Sequence, residues 1–440
     1  MRLSRGVPSA VLVVALLGWG LGGAASAQGT QPKASDVGIT NNQIRLAVVA
    51  DVDTPVQPGL FQSAVDSMNA FARTVNAHGG IAGRKVVIDF IDSHLSPNDT
   101  RNAIIKACSQ DFAMVGTEAL FMNNVDDMVA CKDAQGNATG LPDLTGIAID
   151  THEKCSPVSF LVNGDSSFCA TLGQHPQTYT AQQGDCLYYL SQNKDLHGIY
   201  ILPGDLQEAT NSQRVPFEAC VNLGIKKDAT GFYSVSAMAP QSALTPYVAA
   251  VKSSNSTFVY QGDAFPVMVE LRREAKAQGV STVKVWACNQ GCYDSQFLAQ
   301  GGSDVEGTST ILTTLPFYSE YKSNASLKTL VQQLGGVSKL NGNGVEAWLA
   351  ALLFQDAAQK AMASGATLNR ASLLAALRAE HAFTAQGILG PTDVGGHQQP
   401  RCIVIATVKN GQWVRTNPSK VGTFDCNPKN LTQIKLDLTG

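Results

Sequence analysis

Three short stretches of the sequence hold residue types whose spacing could do chemistry. The run NAHGGIAGRKVVI at 76–88 places three glycines within five residues, and glycines of this kind can cradle a phosphate. The tripeptide GDS at 164–166 sets a serine beside an acid, and Cys288 and Cys292 stand in CNQGC. Each stretch also has a structural interpretation: a helix stop with a turn, a polar connection, and a short disulfide loop. The elements around each stretch decide between the two.

The glycine run follows a predicted helix and precedes a predicted strand. Ile44–Ala50 is a short β-branched run typical of a buried strand, and Val86–Ile91 is a second one. Between them, apolar residues from Phe61 to Val75 recur at three and four positions, which predicts one face of a helix. A dinucleotide loop needs the order strand, glycines, helix, so that a helix N-terminus meets the phosphate. We therefore expect Gly79, Gly80 and Gly83 to end the helix and form the turn.

Other catalytic signatures are missing from the sequence. It contains no GxSxG, GxxxxGK[ST] or HExxH motif, and no predicted strand leads directly into a helix at 164–166. Cys288 and Cys292 have no second CxxC or histidine pair beside them, and the seven histidines are scattered. A disulfide is the preferred interpretation of CNQGC, with a metal site as the alternative. We expect no enzymatic activity and no cofactor.

Strands and helices alternate in two separate runs. The first continues after Ile91 with a helix within 98–109, a strand at 112–116, a helix at 123–133 and a strand at 144–149. An irregular stretch at 150–183 follows. The second run has predicted strands at 198–202, 231–235, 257–261 and 283–287, with helices at 185–192, 213–223, 244–253 and 266–278. This alternation predicts two α/β lobes with parallel sheets covered on both sides.

The C-terminal part has a different pattern. Helices are predicted at 345–362 and 369–379, and then two apolar strands at 402–408 and 412–415. Asn410-Gly411 between these strands is a strong hairpin signal.

The first residues have the pattern of a secretory signal. Two arginines precede an apolar run, and Ala25-Ser26-Ala27 offers small residues for cleavage before Gln28, which gives a signal peptide at 1–27. An uncleaved N-terminal anchor is the alternative. No other apolar run predicts a membrane span. A net charge of −3 with few charged residues predicts no nucleic-acid binding.

All ten cysteines lie beyond the predicted signal. An even number in an exported chain predicts disulfides, although sequence alone does not give the connectivity. Neighbouring predicted elements suggest Cys402–Cys426 and Cys108–Cys131, and Cys288–Cys292 is a plausible short loop. The pairing of the other four cysteines stays open.

Several stretches together resemble the type I periplasmic solute-binding proteins of ABC transporters, the leucine/isoleucine/valine-binding class. The first strand, loop and helix end in N-x-x-GGI-x-GR-K, followed by a strand, Asp92-Ser93 and Pro97. The segment FVYQGDAFPVMVELRREAKAQG resembles the strand, loop and helix of the second lobe. The EG at 306–307 and the GILGP at 387–391 resemble further features of that family.

The resemblance implies a clamshell of two doubly wound parallel-sheet lobes joined by a three-strand hinge. By analogy, lobe 1 comprises 43–163 and 309–396, and lobe 2 comprises 164–308 and 397–430. The family's proteins bind a small molecule between the lobes, outside the carboxyl ends of the strands, and close by hinge motion. The resemblance also implies a periplasmic or secreted monomer whose partner is an ABC transporter permease.

Loops that follow strands should line the cleft and supply the ligand contacts. In lobe 1 the candidate ligand-binding residues are Thr54, Thr117, Glu118, Ala119, Asp150 and Thr151. In lobe 2 they are Asp205, Leu206, Asp263, Ala264, Phe265 and Gln290. Any of these loops could also be an ordinary solvated connection.

Two of these loops depart from the pattern of amino-acid binders. The first-lobe loop TEALF at 117–121 is more apolar where the family offers hydroxyls, and Gln290 stands where the family has a carboxylate for the ligand ammonium. A neutral amide holds an ammonium less well than a carboxylate. We therefore expect a ligand other than a branched-chain amino acid, such as an amide or a small aromatic or apolar acid. Glu118, Asp150 or Asp263 could supply the missing negative charge, and Tyr260 or Phe265 could cover an apolar or aromatic part of the ligand. A sensor clamshell without a transport role is the rival function.

Overall fold

The computed structural model describes residues 33–54, 58–162, 169–363 and 365–438, without the side chain of Thr230. The predicted signal peptide, Pro55 and the tripeptide at 164–166 lie outside the described residues. Within them, no helix is long and apolar enough to cross a membrane.

The strands are numbered here in chain order. They are β1 Gln43–Ala50, β2 Lys85–Asp92, β3 Ala113–Thr117, β4 Asp143–Thr145, β5 Ser159–Leu161, β6 Gln177–Gln182, β7 His197–Pro203, β8 Lys226–Val235, β9 Phe258–Gln261, β10 Val285–Cys288, β11 Thr308–Leu312, β12 Val404–Lys409, β13 Gln412–Asn417 and β14 Leu431–Leu436.

The α-helices follow the same numbering. They are α1 Gln62–Ala77, α2 Pro97–Gln110, α3 Asp126–Val129, α4 Thr151–Lys154, α5 Gly184–Gln192, α6 Gln207–Asn222, α7 Thr245–Ser253, α8 Phe265–Ala277, α9 Ser295–Gly301, α10 Phe317–Glu320, α11 Ala325–Leu334, α12 Gly342–Ala363 and α13 Arg370–Arg378.

The first lobe is built on a five-stranded parallel sheet in the order β2-β1-β3-β4-β5. The predicted helix face of α1 is buried, including Met68 and Phe71, and α12 packs against both α1 and β3. Phe71 meets Trp348 of α12 edge to face, with ring centroids 6.0 Å apart. The late helix α12 therefore belongs to the first lobe, although most of the second lobe precedes it in the chain.

The second lobe is built on a seven-stranded sheet in the order β13-β12-β11-β10-β9-β7-β8. Strands β7 to β11 are parallel, and the hairpin β12–β13 adds two antiparallel strands at one edge. Asn410 and Gly411 both have positive φ, as a two-residue hairpin turn requires, so the Asn-Gly prediction is confirmed. Strand β11 begins at Thr308, where the predicted lobe boundary falls; the exact division into lobes stays a prediction.

The chain passes between the two sheets three times. The first passage leads from β5 to β6, the second from β11 to α10, and the third from residues 388–392 to β12. The second and third passages run side by side, because Leu315 N donates to the carbonyl of Ile388 at 2.9 Å and Thr314 pairs with Leu389. These two passages form part of the hinge between the lobes.

The glycine run at 79–83 ends α1 and forms the turn into β2, as predicted. Gly79, Gly80 and Gly83 all have positive φ, and a Cβ on Gly80 would lie 1.9 Å from the carbonyl oxygen of Arg84. The side chain of Asn76 accepts from Val86 N and donates to Val86 O, both at 2.8 Å. This asparagine thus ties the end of α1 to the edge strand that follows.

Three local predictions were wrong in extent. The helix predicted at 123–133 is a single turn, α3, and the strand predicted at 144–149 ends at Thr145. Beyond Thr145 the backbone turns, because Gly146 N and Ile147 N both donate to the carbonyl of Thr117. The stretch at 150–183, predicted to be irregular, contains α4, β5 and β6, and β6 pairs with β14 of the C-terminal tail. Because that pairing joins segments far apart in the chain, no local sequence pattern predicts it.

The described cysteines form five disulfides. The predicted pairs Cys108–Cys131, Cys288–Cys292 and Cys402–Cys426 are all present. The remaining cysteines pair as Cys155–Cys169 and Cys186–Cys220.

Candidate ligand-binding cleft

The predicted binding residues lie at or beyond the carboxyl ends of parallel strands: Thr117 ends β3, Thr151 and Phe265 begin α4 and α8, and the others lie in the intervening connections. Those of the first lobe follow β1, β3 and the region after β4, and those of the second lobe follow β7, β9 and β10.

Asp51 ties together three loops at the edge of the first sheet. Its carboxylate is fully buried and accepts hydrogen bonds from Ser93 Oγ at 2.6 Å, Leu95 N at 2.7 Å and Leu120 N at 2.8 Å. These donors come from the loops after β2 and β3. Asp51 is therefore a structural residue that holds the loops in place, and its position directly after β1 was the only sign of this in the sequence.

Thr117 directs its hydroxyl into the lobe. Thr117 Oγ1 donates to Asp143 Oδ1 at 2.6 Å, and Ser159 Oγ donates to the other oxygen at 3.1 Å. Burial raises the pKa of Asp143 to about 6, although these two hydroxyls oppose the shift. Three neighbouring strands are thus joined below the cleft. Two further predicted residues of this edge, Thr54 and Ala119, are also buried.

Glu118 is buried without a hydrogen bond to its carboxyl group. Neither side-chain oxygen has a partner among the described residues, and the side chain has no exposed surface. Burial, and then the nearby Glu346, raise the pKa of Glu118 well above its usual value. A Cβ on Gly146 would lie 2.8 Å from Glu118 Oε1 and 3.3 Å from Glu346 Cβ, so both acids border the space that this glycine leaves.

Glu346 is a site residue that sequence reasoning missed. It lies in the second turn of α12 and is 3% exposed. Gln290 Nε2, from the second lobe's loop after β10, donates to Glu346 Oε1. The sequence did carry a signal: Glu346 is a charged residue within the otherwise apolar run VEAWLAALLF. Its neighbours in space, however, come from distant parts of the chain.

The second lobe presents a more polar edge. Asp205 is exposed and accepts from Ala237 N at 2.7 Å, and Leu206 begins α6 as its N-cap. Asp263 Oδ1 accepts from Ala264 N at 2.7 Å, whereas Oδ2 has no partner among the described residues. Burial raises the pKa of Asp263 to about 6, against the hydrogen bond from Ala264. Phe265 is half-buried and meets Phe297 edge to face.

Tyr260 does not face the cleft, so its suggested role against a ligand is wrong. It is 3% exposed and its hydroxyl donates to Asp185 Oδ2 at 2.6 Å. Its ring packs against Phe217 with centroids 4.5 Å apart. Tyr260 is the third residue of β9, and side chains alternate between the faces of a strand, so this one points into the core.

A cavity of about 360 Å³ lies where α4 of the first lobe approaches α6 of the second. The predicted residues Asp150 and Thr151 line it, and Asp150 caps α4 by accepting from His152 N at 2.7 Å. Opposite them, Glu208, Asn211 and Ser212 come from α6, and further lining residues are His175, Tyr179, Leu436 and Leu438. Lys154 Nζ donates to Ser212 Oγ at 3.5 Å across the two lobes. The cavity is thus lined from both lobes and has polar and apolar walls.

Other places in the described part of the chain fit a ligand or metal less well. A larger surface depression of about 500 Å³ is bordered by Tyr321, Lys322 and Lys328, and contains no residue from the sheet edges. Among the described residues, the one group of metal-ligating side chains close enough to share an ion is Asp185, Cys186 and Cys220. Both of its sulfurs are in a disulfide, so neither is available as a thiolate ligand.

Two α/β lobes, three connections between them and a cavity at their facing edges define a clamshell binding protein. The sequence model of the family described as "Periplasmic binding protein" matches residues 43–412. The chain belongs to this family, whose members bind substrates.

Solved structures with the same fold include transport-related binding proteins. A fatty acid ABC transporter substrate-binding protein from Thermomonospora curvata aligns with a TM-score of 0.66 and 17% identity, over 89% of this chain and 98% of its own. The leucine-binding protein LivK from Thermotoga maritima gives 0.62 and 14%, over 85% and 97%. LivJ from Streptococcus pneumoniae, solved with isoleucine, gives 0.63 and 14%, over 85% and 100%. At these identities the likeness concerns the fold alone. A search of curated proteins returns no match.

Proposed function

We propose that this protein captures a small polar or amphipathic metabolite between its two lobes and delivers it to an ABC transporter permease. The observation that carries the proposal is the cavity of about 360 Å³ lined by α4 of the first lobe and α6 of the second. A ligand there would contact both lobes, and only their closed arrangement would enclose it. Closure around the ligand would then create the surface that the permease binds.

The ligand-binding residues in this proposal come from both edges. Asp150 and Thr151 line the cavity directly, and Glu118, Asp263 and Gln290 provide polar groups along the facing edges. Thr54, Thr117, Ala119, Asp205, Leu206, Ala264 and Phe265 shape the loops that hold these groups in place. The reaction is binding and release, with no covalent step.

The structural neighbours described above include a leucine-binding protein, a protein solved with isoleucine and a fatty acid binder, but the cleft of this chain favours a different compound. Gln290 is an amide at the second lobe's edge and donates to Glu346 instead of accepting from a ligand ammonium. We therefore propose that branched-chain amino acids are not the ligand. Export to the periplasm or the cell exterior, and function as a monomer, complete the proposal.

A cavity-filling variant tests the binding site. Ligands would first be extracted from protein purified under native conditions and identified by mass spectrometry, and their affinity measured by isothermal titration. Ser212→Trp on α6 should fill the cavity and abolish binding of the extracted compound. Ser191→Trp on the exposed surface of α5 is the matched control and should bind normally. Equal binding by both variants would contradict this location of the site.

A second titration tests the ligand class. Leucine and valine should give no heat of binding with the unmodified protein. Binding of either at micromolar concentration or tighter would overturn the exclusion of branched-chain amino acids, while leaving the role as a solute-binding protein intact.

The rival function is a sensor, in which the same closure signals to a partner protein. The two functions differ in what the closed form contacts. Reconstitution of the loaded protein with a candidate permease and its ATPase in vesicles should give ATP-dependent uptake if transport is the role. Binding without uptake, together with capture of a signalling partner by the loaded form, would favour the sensor.

A further inference from the structure

The acidic residues Glu118 and Glu346 form a pair in the wall of the first lobe, where both approach Gly146. Glu118 follows β3 and Glu346 lies on α12, and both are more than nine-tenths buried. Both border the space above Gly146, where any side chain would collide with Glu118 Oε1. Two adjacent carboxylates repel each other and lose hydration on burial, so such a pair needs protons or a cation nearby.

The surrounding donors do not serve Glu118. Neither of its side-chain oxygens has a hydrogen-bond partner among the described residues. The nearby N–H groups are already used: Glu118 N donates to Val49 O at 2.9 Å, and Leu120 N donates to Asp51 Oδ2 at 2.8 Å. The carboxyl oxygens of Glu118 could therefore accept hydrogen bonds from a ligand, whereas these two N–H groups are already bonded within the protein. These two N–H groups are therefore not available to a ligand carboxylate.

Gln290 shows which kind of group the pair accepts. Its Nε2 reaches across from the second lobe and donates to Glu346 Oε1. The neutral amide of Gln290 thus donates to one acid of the pair. The carboxyl group of Glu118 has no donor among the described residues. A charged nitrogen with several N–H groups could donate to both acids and would be held more strongly than a neutral amide.

We propose that the Glu118–Glu346 pair binds a basic nitrogen of the ligand, in an ammonium, amidinium or guanidinium group. The inference rests on the proposed function and names the ligand class for the cleft between the lobes. The pair is not among the residues that line the cavity between α4 and α6. Two carboxylates fall short of the six to eight oxygens that calcium prefers, so an organic cation fits better than a metal ion. Opening of the lobes would separate Gln290 from Glu346 and admit the ligand, and closure would bring Gln290 back over it.

Matched probes can test the charge preference. Thermal unfolding and isothermal titration would be run with phenethylamine, benzamidine and agmatine, and with 2-phenylethanol, benzamide, benzoate and 3-phenylpropionate as neutral and acidic counterparts. We expect binding by at least one basic probe and at least tenfold weaker binding by its neutral or acidic counterpart. Hits confined to neutral or acidic probes would overturn the inference and leave the proposed function standing. No binding by any of the probes would count against both.

Variants that lack one carboxyl group test whether Glu118 and Glu346 cause the preference for a basic probe. Glu118→Gln and Glu346→Gln keep the side-chain size, and each should lower the affinity for the basic probe at least tenfold. Asp111→Asn is the matched control, because Asp111 is a buried acid just before the other end of β3 and pairs with Arg45 at 3.3 Å. Asp111→Asn should keep the affinity for the basic probe within about twofold of that of the unmodified protein. Unchanged affinity in both glutamine variants, with folding verified by circular dichroism, would overturn the proposal.

Discussion

Asp51 and Glu118 are two buried acids at one sheet edge with opposite surroundings. They follow the neighbouring strands β1 and β3, and Asp51 N donates to Glu118 O at 3.0 Å. Asp51 accepts hydrogen bonds from three groups in two loops, whereas neither carboxyl oxygen of Glu118 has a partner among the described residues. Burial alone therefore does not give the role of an acid. The hydrogen-bond donors around Asp51 give it a structural role, whereas their lack around Glu118 is the basis of the proposed ligand contact.

The largest expected effect is the loss of the Asp51 carboxylate. Asp51→Ala leaves Ser93 Oγ and the N–H groups of Leu95 and Leu120 without their acceptor. Buried donors without a partner cost roughly 1–3 kcal/mol each, so the free energy of unfolding should fall by about 4 kcal/mol. Urea unfolding measures this change. Asp51→Asn keeps an acceptor oxygen and should lose less than half as much; equal losses would show that the hydrogen bonds are not the cause.

The second effect concerns the space shared by the two acids of the cleft. Gly146→Ala would place a Cβ 2.8 Å from Glu118 Oε1 and should lower the free energy of unfolding by about 2 kcal/mol. The loss should shrink below about 1 kcal/mol when Glu118→Ala is combined with it, because the colliding oxygen is then absent. Gly342→Ala is the control, since a Cβ there meets nothing within 4 Å. A loss that does not depend on the residue at 118 would contradict the close approach.

The third effect is a pH dependence of the free energy of unfolding that arises at Glu118. The pKa of Glu118 in the folded chain is raised, first by burial and then by Glu346, so folding favours the protonated form. Its contribution to stability is full below the pKa of the unfolded chain and is lost as the pH rises towards the folded pKa. Glu118→Gln removes this loss. The variant should therefore gain stability relative to the wild type as the pH rises from 4 to 8.

Thermal and urea unfolding across that pH range would check the third prediction. The charged neighbour that opposes ionisation of Glu118 is Glu346 on α12, and Glu346→Gln should reduce the same slope. A difference between wild type and Glu118→Gln that stays constant with pH would show that Glu118 does not change its protonation there.

Sequence patterns predicted those features of the fold that depend on residues close together in the chain. Most strands of the two large sheets, the glycine turn after α1 and the Asn-Gly hairpin follow from short-range spacing, and three of the disulfides join neighbouring elements. The strands β5, β6 and β14 were not predicted. Asp51 and Glu118 could be placed in loops after strands, but their hydrogen bonds could not. Those depend on which distant segments pack over the sheet edge, and Glu346 reaches Glu118 only because α12 returns to the first lobe. The direction of Tyr260 was missed for a local reason, because this residue lies within β9 but was grouped with the loop that follows the strand.

The smallest effect concerns the contact that reaches the pair from the second lobe. Gln290→Ala removes the hydrogen bond to Glu346 and should barely change the unfolding midpoint, because Gln290 is only half-buried. One hydrogen bond is worth about 1 kcal/mol, so the balance between closed and open forms should move roughly fivefold towards open. Small-angle X-ray scattering without ligand would show a larger radius of gyration. Gln296→Ala, on the exposed surface of α9, should leave the radius unchanged, and an equal radius for both variants would mean that Gln290 does not hold the lobes together.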